Sequence, residues 1–406
     1  MHTAIYISNK DDKPQLIEHI IHGNSIVNLS NLKGALFSEI TLSLFIEEEI
    51  IHGHFDVQTA TKNSLLHSSE GERKQALLQH LISKKPEYLI VDNVFGNLDI
   101  LKQAAIQKTL TDLSASVKII QITNRIAEIL PFIDKTYQLK DGNLLEFSTI
   151  EASKTKNAIT FVEALPKPYQ PVSEPINPLI KFNKVSVAYG ERPILNAISW
   201  EIKHGEFWQL IGANGSGKST ILSMIYGDNP KAYGQDINLF GIKKGSGESV
   251  WDLKRKIGYF SSEMLRGFKR LDAVGNMIVS GFFDSVGLYK EPSNAQIKIT
   301  EQWLHVLQLF HLRKQPFLSL SKGHQRLVLI ARAMVKQPPL LILDEPTNGL
   351  DDFDVALFTA LINKIAKETD TAILYVSHRK EAGLNPDFIY ELTTSDQGST
   401  GKTINK

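Results

Sequence analysis

Nine consecutive residues in the second half of the chain combine glycine, lysine and hydroxyl side chains in a fixed order. Gly212 to Thr220 read GANGSGKST and fit the pattern G-x-x-x-x-G-K-[ST]. Glycines let the backbone wrap an anion with its N–H groups pointing inward, and a helix that begins beside the loop adds positive potential. Lys218 can bridge two phosphate groups, and the Ser219 hydroxyl can ligate Mg²⁺. The segment therefore predicts a triphosphate cradle made by Gly212, Asn214, Gly215, Ser216, Gly217, Lys218, Ser219 and Thr220.

Two adjacent carboxylates end an apolar run further along the chain. In LLILDEP, Asp344 stands at the end of a predicted buried strand, and Glu345 follows it. Open α/β sheets bind ligands beyond the carboxyl ends of their strands, where Asp344 could hold Mg²⁺ through water. Glu345 is then the candidate to orient or deprotonate an attacking water. A carboxylate pair here could instead cap the next helix, but the upstream cradle favours the hydrolytic interpretation.

The elements that must position these residues alternate between strand and helix. FWQLIG runs straight into the glycine-rich turn, LLILDE precedes the acidic pair, and TAILYVSH is a further apolar strand. An amphipathic helix is predicted by apolar residues at helical spacing, namely Ile299, Trp303, Val306, Leu307 and Phe310. This alternation indicates an α/β fold with a mostly parallel sheet.

Composition excludes several classes of protein. The 406 residues are enough for two or three domains, and 42% hydrophobic residues fit a globular core. A net charge of +1 gives no bias toward nucleic acid or an anionic membrane, and the lack of cysteine excludes disulfides. The first residues do not read as a secretory signal, and no stretch approaches the roughly 18 apolar residues of a membrane helix. We therefore expect any membrane role to act through a separate partner.

A proline-rich segment divides the chain. Residues 165–178 hold five prolines, a density that excludes helix and favours an extended spacer. We expect a first domain at 1–150, a linker at 151–178, a second domain at 179–395 and a polar tail without regular structure at 396–406. The alternative is a proline-rich loop inside a single domain.

The segment before the acidic pair resembles the ATP-binding cassettes of ABC proteins. LSLSKGHQRLVLIARAMVKQPPLLILDEPTNGLD holds an LSxG core at 320–323 and a segment similar to the family's D-loop at 348–351. YVSHR is similar to the switch strand, with His378 as sensor of the γ-phosphate. VSVAYG places Tyr189 where this family stacks an aromatic ring on adenine. The resemblance covers residues 180–390 and implies an ATPase that uses ATP and Mg²⁺.

Two positions depart from the family pattern. The glutamine that usually follows the strand after the first helix is replaced in IGYFSSEM by Ser262, and the last glutamine of the signature is replaced by His324. Because serine is too short to reach Mg²⁺ as glutamine does, the first change puts the metal shell and coupling to a permease in doubt.

The first half resembles a degenerate copy of the second. LHSSEGERKQALLQHLISKKPEYLIVDNVFGNLD parallels the block that ends at the D-loop, so Ser69 and Gly71 fit the signature and Asp92 fits the Mg²⁺ position. Asn93 and Asn124 replace the catalytic glutamate and the switch histidine, and asparagine cannot act as a general base. No G-x-x-x-x-G-K-[ST] pattern occurs there. The implied fold is two ABC-type P-loop NTPase cassettes, each a mixed sheet with flanking helices plus a helical subdomain, the first truncated. An unrelated first domain is the alternative.

The resemblance also implies how the site is completed. ABC cassettes close head to tail, with ATP between the cradle of one and the signature of the other. We expect one hydrolytic site per chain through intramolecular pairing of the two cassettes, with the signature supplied by Ser69 and Gly71. The catalytic residues are then Lys218, Glu345 and His378. Two second halves from different chains are the competing arrangement.

The tandem cassettes, the missing glutamine and the phrase IVSGFFDSVGLY resemble ABC ATP-binding proteins of the molybdenum-transport, or photorepair, type. This implies an ATPase that energises or regulates an importer with separately encoded membrane subunits. It would lie in the cytoplasm, free or at the inner face of the cell membrane. An alternative is a cytosolic ABC protein acting on ribosomes or nucleic acid, which the short linker and weak basic balance disfavour. A non-hydrolysing nucleotide sensor is disfavoured by Glu345 and His378.

Overall fold

The chain divides into two compact units. The first comprises Met1–Ala158 and Gly349–Asp352, and the second comprises Ile159–Asn348 and Phe353–Lys406. The computed structural model describes residues 1–22, 29, 32–60, 63–96, 98–148, 160–169, 176–264, 272–285, 287–378 and 381–404. Parts of the expected linker (151–159 and 170–175), Val286 of IVSGFFDSVGLY and Arg379 of YVSHR lie outside these residues. No helix among the described residues is long and apolar enough to span a membrane.

The first unit is a six-stranded sheet with helices on both faces. Its strands are β1 (Thr3–Tyr6), β2 (Gly34–Phe37), β3 (Tyr88–Asp92), β4 (Lys118–Thr123), β5 (Lys135–Lys140) and β6 (Asn143–Glu146). Its helices are α1 (Lys13–Ile21), α2 (Glu39–His52), α3 (Glu70–Ser83) and α4 (Ile100–Leu113), with a 3-10 turn at Ile126–Glu128. The strand order is β2-β3-β4-β1-β5-β6, parallel except for the last pair.

The second unit has two sheets. Its strands are β7 (Ile180–Tyr189), β8 (Arg192–Ile202), β9 (Phe207–Gly212), β10 (Ile237–Leu239), β11 (Ile242–Lys243), β12 (Ile257–Ser261), β13 (Leu340–Asp344), β14 (Ala372–Ser377), β15 (Phe388–Thr393) and β16 (Thr400–Ile404). Its helices are α5 (Lys218–Tyr226), α6 (Val250–Lys254), α7 (Val274–Val279), α8 (Asn294–Val306), α9 (Lys322–Met334) and α10 (Asp352–Glu368), whose first residue is assigned to the first unit. Short 3-10 turns lie at Pro230–Ala232, Ser280–Phe283, Phe310–Leu312 and Phe317–Ser319. One sheet is antiparallel with order β11-β10-β7-β8, and the other has order β12-β13-β14-β9-β15-β16.

The two six-stranded sheets share one topology. In each, the sheet's first strand along the chain (β1 or β9) lies between the fourth and fifth strands of that sheet in chain order, and an antiparallel hairpin closes the same edge. Among its described residues, the first unit has no counterpart of the antiparallel four-stranded sheet. The first half thus repeats the six-stranded sheet of the second half.

Apolar side chains on both faces of the first unit's sheet form its cores. In the first unit, Leu16, Ile17 and Ile20 of α1 cover one face, while α2, α3 and α4 cover the other. In the second unit the predicted amphipathic helix is α8, whose Trp303 and Val306 are each 1% exposed. Burying one such side chain stabilises the fold by roughly 1.5–3 kcal/mol.

In the polar tail, Thr400–Ile404 form the regular strand β16, which corrects the expectation of an irregular segment. β16 pairs antiparallel with β15, with Thr400 opposite Thr393 and Ile404 opposite Ile389. Because backbone hydrogen bonds to β15 hold this edge strand, it needs little apolar character of its own. Because its residues are mostly polar, β16 gives no apolar pattern from which a strand could be predicted.

Part of the expected spacer is attached to the second unit. The N–H of Leu165 donates to the Glu368 carboxylate (3.2 Å), and the Gln337 side-chain amide donates to the carbonyl of Pro166. Phe161 is buried as well. The described residues 160–169 have no helix or strand, as the prolines predict, but they are held by contacts within this unit.

Candidate functional site

The candidate site lies where three parallel strands of the second unit end. β14 pairs in parallel with β13 on one side and with β9 on the other. The glycine loop after β9, the acidic pair at the end of β13 and His378 after β14 therefore share one edge of the sheet. This is the edge at which open α/β sheets bind ligands.

The glycine loop adopts backbone conformations that other residues rarely take. Gly215 has φ +80° and Gly217 has φ +91°, and Gly217 directly precedes α5. A Cβ on Gly217 would lie 2.5 Å from Leu195 Cδ2, so neither conformation nor space admits a side chain. The Lys218 ammonium donates to the carbonyls of Gly212 (2.6 Å) and Ala213 (3.1 Å), which holds it over the loop.

Two buried polar atoms at this edge fit the triphosphate that the loop predicts. Ser216 Oγ and His378 Nε2 are buried, and neither has a hydrogen-bond partner among the described residues. Leaving a buried polar atom unsatisfied costs about 1–3 kcal/mol. Phosphate oxygens are acceptors that would satisfy both atoms. Together with the ammonium of Lys218, they form a donor set suited to a polyanion.

The acidic pair is held by its backbone. Glu345 has φ +45°, an unusual value for a residue with a side chain, and its N–H donates to the carbonyl of Val376 (2.9 Å). This geometry turns the carboxylate toward His378, with 3.0 Å between Oε2 and Nδ1. The His378 side chain is 2% exposed. Glu345 and His378, predicted separately from sequence, therefore form one contact.

Asp344 is half-buried at the end of β13, directly before Glu345. Burial and then the charge of Glu345 raise the pKa of Asp344 to about 6. The Tyr259 hydroxyl reaches its Oδ2 at 3.4 Å. Carboxylate, hydroxyl and water oxygens are the ligands that Mg²⁺ prefers, and Asp344 with the Ser219 hydroxyl provides the first two. Sequence reasoning missed Tyr259, since a tyrosine within a strand gives no signal of its own.

The hairpin of β7 and β8 belongs to the antiparallel four-stranded sheet and lies beside the glycine loop. Tyr189 ends β7, is 47% exposed, and its hydroxyl accepts a hydrogen bond from Asn229 Nδ2 at 3.0 Å. Its cross-strand partner is Arg192, whose guanidinium is 4.0 Å from the position that a Cβ on Gly215 would take. The accessible ring of Tyr189 thus suits stacking on a base. Arg192 adds a cation that sequence reasoning missed.

The signature serine caps a helix in each unit. Ser321 Oγ accepts from the N–H of His324 (3.3 Å) at the start of α9. Ser69 begins α3 with a reciprocal capping box, in which Glu72 accepts from the Ser69 N–H (2.8 Å) and hydroxyl (2.6 Å). The hydroxyl hydrogen bond from Ser69 lowers the pKa of Glu72. The Lys102 ammonium lies 3.0 Å from Ser69 Oγ.

Each signature glycine lies against a side chain of another helix. A Cβ on Gly71 would meet Lys102 Cδ at 2.1 Å, and a Cβ on Gly323 would meet Asp354 Oδ1 at 2.0 Å. The two helices therefore start in the same way, but a cation stands beside one and a carboxylate beside the other.

The first unit has the backbone conformation of the acidic pair but lacks the carboxylate that Glu345 provides. Asn93 has φ +45°, and its N–H donates to Ile122 (3.0 Å), as that of Glu345 donates to Val376. The N–H of Asn124 donates to Asn93 Oδ1 at 3.1 Å. The first unit thus keeps the geometry but holds no general base at this place.

Ser262 follows β12 next to the acidic strand. Its N–H donates to the carbonyl of Asp344 at 3.3 Å. The usual glutamine is therefore replaced at a position that does neighbour the predicted metal ligand.

Sheet order, glycine loop and acidic pair define an ATP-binding cassette of the P-loop NTPase class. Residues 195–348 match the family described as ABC transporter. Over 327 residues, the chain is 39% identical to the ABC transporter ATP-binding protein ModF of Escherichia coli (strain K12), covering 77% of this chain and 67% of that relative. The chain belongs to the family of ABC transporter ATP-binding proteins.

Two further likenesses span most of the chain. It is 28% identical over 332 residues to an uncharacterized ABC transporter ATP-binding protein of Schizosaccharomyces pombe, covering 79% of this chain and 66% of the relative. The chain thus spans about two thirds of the length of both curated relatives. A chain from the solved structure of ribosome-bound archaeal Pelota and ABCE1 matches with a TM-score of 0.64 and 14% identity, covering 100% of this chain and 75% of that chain. This last likeness concerns the fold alone.

Proposed function

We propose that this chain hydrolyses ATP to ADP and phosphate at the site around Lys218, Asp344 and Glu345. The observation that carries the proposal is the 3.0 Å contact between Glu345 and His378 beside the glycine loop, with His378 Nε2 left without a described partner. Members of the family generally use ATP with Mg²⁺, and Asp344 with Ser219 would hold the metal. Mg²⁺ neutralises charge on the phosphates when bound.

Each side chain then has a distinct task. Lys218 and the loop N–H groups bind the β- and γ-phosphates, and Tyr189 stacks on adenine. His378 Nε2 donates to a γ-phosphate oxygen while Nδ1 stays against Glu345. Glu345 orients the water that attacks the γ-phosphorus and takes up its proton as the bond to ADP breaks.

Paired variants of the second unit test this proposal. Glu345→Gln keeps the shape but not the base, so we expect retained ATP binding and phosphate release reduced about 10²–10⁴-fold. Lys218→Ala should lose binding and hydrolysis together. Glu391→Gln makes the same chemical change on an exposed strand residue and should leave both unchanged. Phosphate release that persists at the wild-type rate in Glu345→Gln would overturn the proposal.

We further propose that the signature at Ser69 and Gly71 completes the site through pairing of the two cassettes within one chain. The support is the retained N-capping serine and close-packed glycine in a unit that has lost its own catalytic glutamate. The competing arrangement pairs two second units from different chains through Ser321 and Gly323. Chain stoichiometry of the Glu345→Gln protein with ATP separates them, because the first predicts a monomer and the second a dimer.

We propose that hydrolysis energises or regulates transport through separately encoded membrane subunits, at the inner face of the cell membrane, with molybdate as the candidate cargo. The support is the ABC transporter family membership and the similarity to ModF. Glu345→Gln with ATP should trap the closed state, so an affinity-tagged form should recover a membrane permease. Recovery of ribosomes in place of membrane proteins would favour the cytosolic alternative.

A further inference from the structure

The strand register reveals a counterpart of the glycine loop in the first unit. Tyr6 of β1 lies opposite Thr123, the last residue of β4, just as Ile211 of β9 lies opposite Ser377, the last residue of β14. Seven residues after Tyr6 comes Lys13, and seven after Ile211 comes Lys218. Both lysines begin a nine-residue helix, α1 or α5. Lys13 therefore occupies the place of the phosphate-binding lysine.

The loop before Lys13 contains no glycine, and most of its backbone N–H groups already donate to acceptors of the chain. Its residues Ile7 to Asp12 read ISNKDD where the second unit has GANGSG. Asp11 accepts from the N–H of Ser8 (2.6 Å), and Asp12 accepts from that of Gln15 (3.1 Å). Further N–H groups of the loop already donate within the first unit, namely those of Asn9, Lys10, Asp11 and Lys13. Pro14, at the place of Ser219, has neither an N–H nor a hydroxyl.

Lys13 forms an ion pair with Asp92, the residue at the magnesium-binding position of this unit. Its ammonium lies 3.0 Å from Oδ2 and 3.1 Å from Oδ1, and the Asp92 side chain is 3% exposed. A buried carboxylate is costly unless a cation compensates it. Burial raises the pKa of Asp92, and the Lys13 ammonium opposes that rise. In this unit a cation of the chain neutralises the carboxylate that would otherwise face a metal.

We propose that the first unit carries a self-filled replica of the phosphate cradle that binds no nucleotide. The Lys13–Asp92 pair takes the place of phosphate and metal, and the carboxylates of Asp11 and Asp12 occupy the start of α1 where an anion would bind. The first unit therefore keeps its conformation whether or not ATP is present, and each chain binds one nucleotide. The expectation of one bound nucleotide per chain rests on the proposed function, whereas the Lys13–Asp92 ion pair is independent of it.

Binding stoichiometry tests the replica directly. Equilibrium dialysis with radiolabelled ATP and Mg²⁺ on the Glu345→Gln chain should give one nucleotide per chain. Adding Lys218→Ala should remove it. A second equivalent that survives Lys218→Ala and disappears with Lys13→Met would overturn the inference while leaving the proposed hydrolysis intact. Absence of all binding in the Glu345→Gln chain would instead count against the proposed function.

Hydrogen–deuterium exchange of peptides from α1 tests the ion pair without nucleotide. Lys13→Met should accelerate exchange across residues 13–21 several-fold, because it leaves the buried Asp92 carboxylate uncompensated, and Asp92→Asn should do so less, because the Lys13 side chain is 32% exposed. The double variant should exchange more slowly than Lys13→Met alone, since no buried charge is then left unpaired. Lys13→Arg should stay close to wild type. Additive effects of the two single variants, or exchange slowed by ATP in wild-type α1, would overturn the inference.

Discussion

The carboxylate of Glu345 and the imidazole of His378 meet directly, with Oε2 3.0 Å from Nδ1. The contact follows from two adjacent parallel strands, β13 and β14, because each residue stands just beyond the end of its strand. A carboxylate on Nδ1 fixes the ring so that Nε2 points elsewhere. The corresponding residues of the first unit, Asn93 and Asn124, also touch but carry no titratable group.

Removing the imidazole should separate binding from hydrolysis. In His378→Ala, Lys218 and the loop still hold the phosphates, but Glu345 loses its partner and the γ-phosphate loses a donor. We expect ATP binding within a few-fold of wild type and phosphate release lower by about 10²–10³-fold. Single-turnover assays and equilibrium binding measure the two effects. His311→Ala, at an exposed histidine, is the control, and equal losses of binding and turnover would show that His378 serves only to bind.

The signature that serves the site can be identified by a matched pair of substitutions. Ser69→Trp and Ser321→Trp remove an equivalent helix cap, each costing about 1 kcal/mol, and place the same bulk at the start of α3 or α9. With pairing inside one chain, Ser69→Trp should reduce hydrolysis about as severely as Glu345→Gln, and Ser321→Trp should do so far less. The reverse ranking would favour pairing of two second units, and unchanged hydrolysis in Ser69→Trp would refute the cross-half site.

Sequence patterns predicted the second unit well because its signals are local. The run FWQLIG before the glycine-rich turn, the apolar run before Asp344, and the helical spacing around Trp303 are each read from neighbouring residues. The conformation of each of these segments depends on residues that are close together in the sequence. The strands and the amphipathic helix they predicted are confirmed as β9, β13 and α8.

The features that were missed depend on residues far apart in the chain. Lys13 has no motif around it, and only the alignment of β1 with β4 reveals its position. Asp92 was recognised, but its partner lies 79 residues away. β16 is held by β15 rather than by its own sequence. The position of Lys13, its ion pair with Asp92 and the strand β16 follow from strand register and long-range pairing, which local composition does not show.

Close packing at Gly281 should make the second unit sensitive to a single methyl group. A Cβ there would lie 2.1 Å from the Arg332 carbonyl oxygen, a backbone atom that cannot move without shifting α9. We expect Gly281→Ala to destabilise the second unit by about 1–3 kcal/mol. All four tryptophans lie at positions 200, 208, 251 and 303, so their fluorescence during urea unfolding reports on this unit.

Gly96→Ala provides the control for that substitution, with its urea unfolding followed by circular dichroism because Gly96 lies in the first unit, which has no tryptophan. Apart from its chain neighbours, no described residue has an atom within 4 Å of the position that its Cβ would take, so its effect should stay within about 0.5 kcal/mol. Equal and small effects of both substitutions would contradict the close contact at Gly281.

A buried ion pair away from the nucleotide site should give the second unit a distinctive acid response. Lys244 Nζ lies 2.8 Å from Glu248 Oε1, with side chains 0% and 3% exposed. Burial opposes ionisation of Glu248, but Lys244 and the N–H of Gly245 outweigh it and lower the pKa to about 2. Because the folded pKa lies below the ordinary value of 4.5, the stabilisation is present above pH 4.5 and is lost as pH falls toward 2.

Glu248→Gln isolates this contribution. Removing one partner of a buried pair leaves Lys244 uncompensated, so we expect a loss of about 3 kcal/mol at pH 7, measured by tryptophan fluorescence during urea unfolding. The difference from wild type should shrink as pH falls from 4.5 to 2, because the wild-type carboxylate then also becomes neutral. Glu201→Gln, at the exposed pair with Lys181, should change stability by less than about 1 kcal/mol at any pH. A difference for Glu248→Gln that stays constant down to pH 2 would mean that the charge of Glu248 does not stabilise the fold.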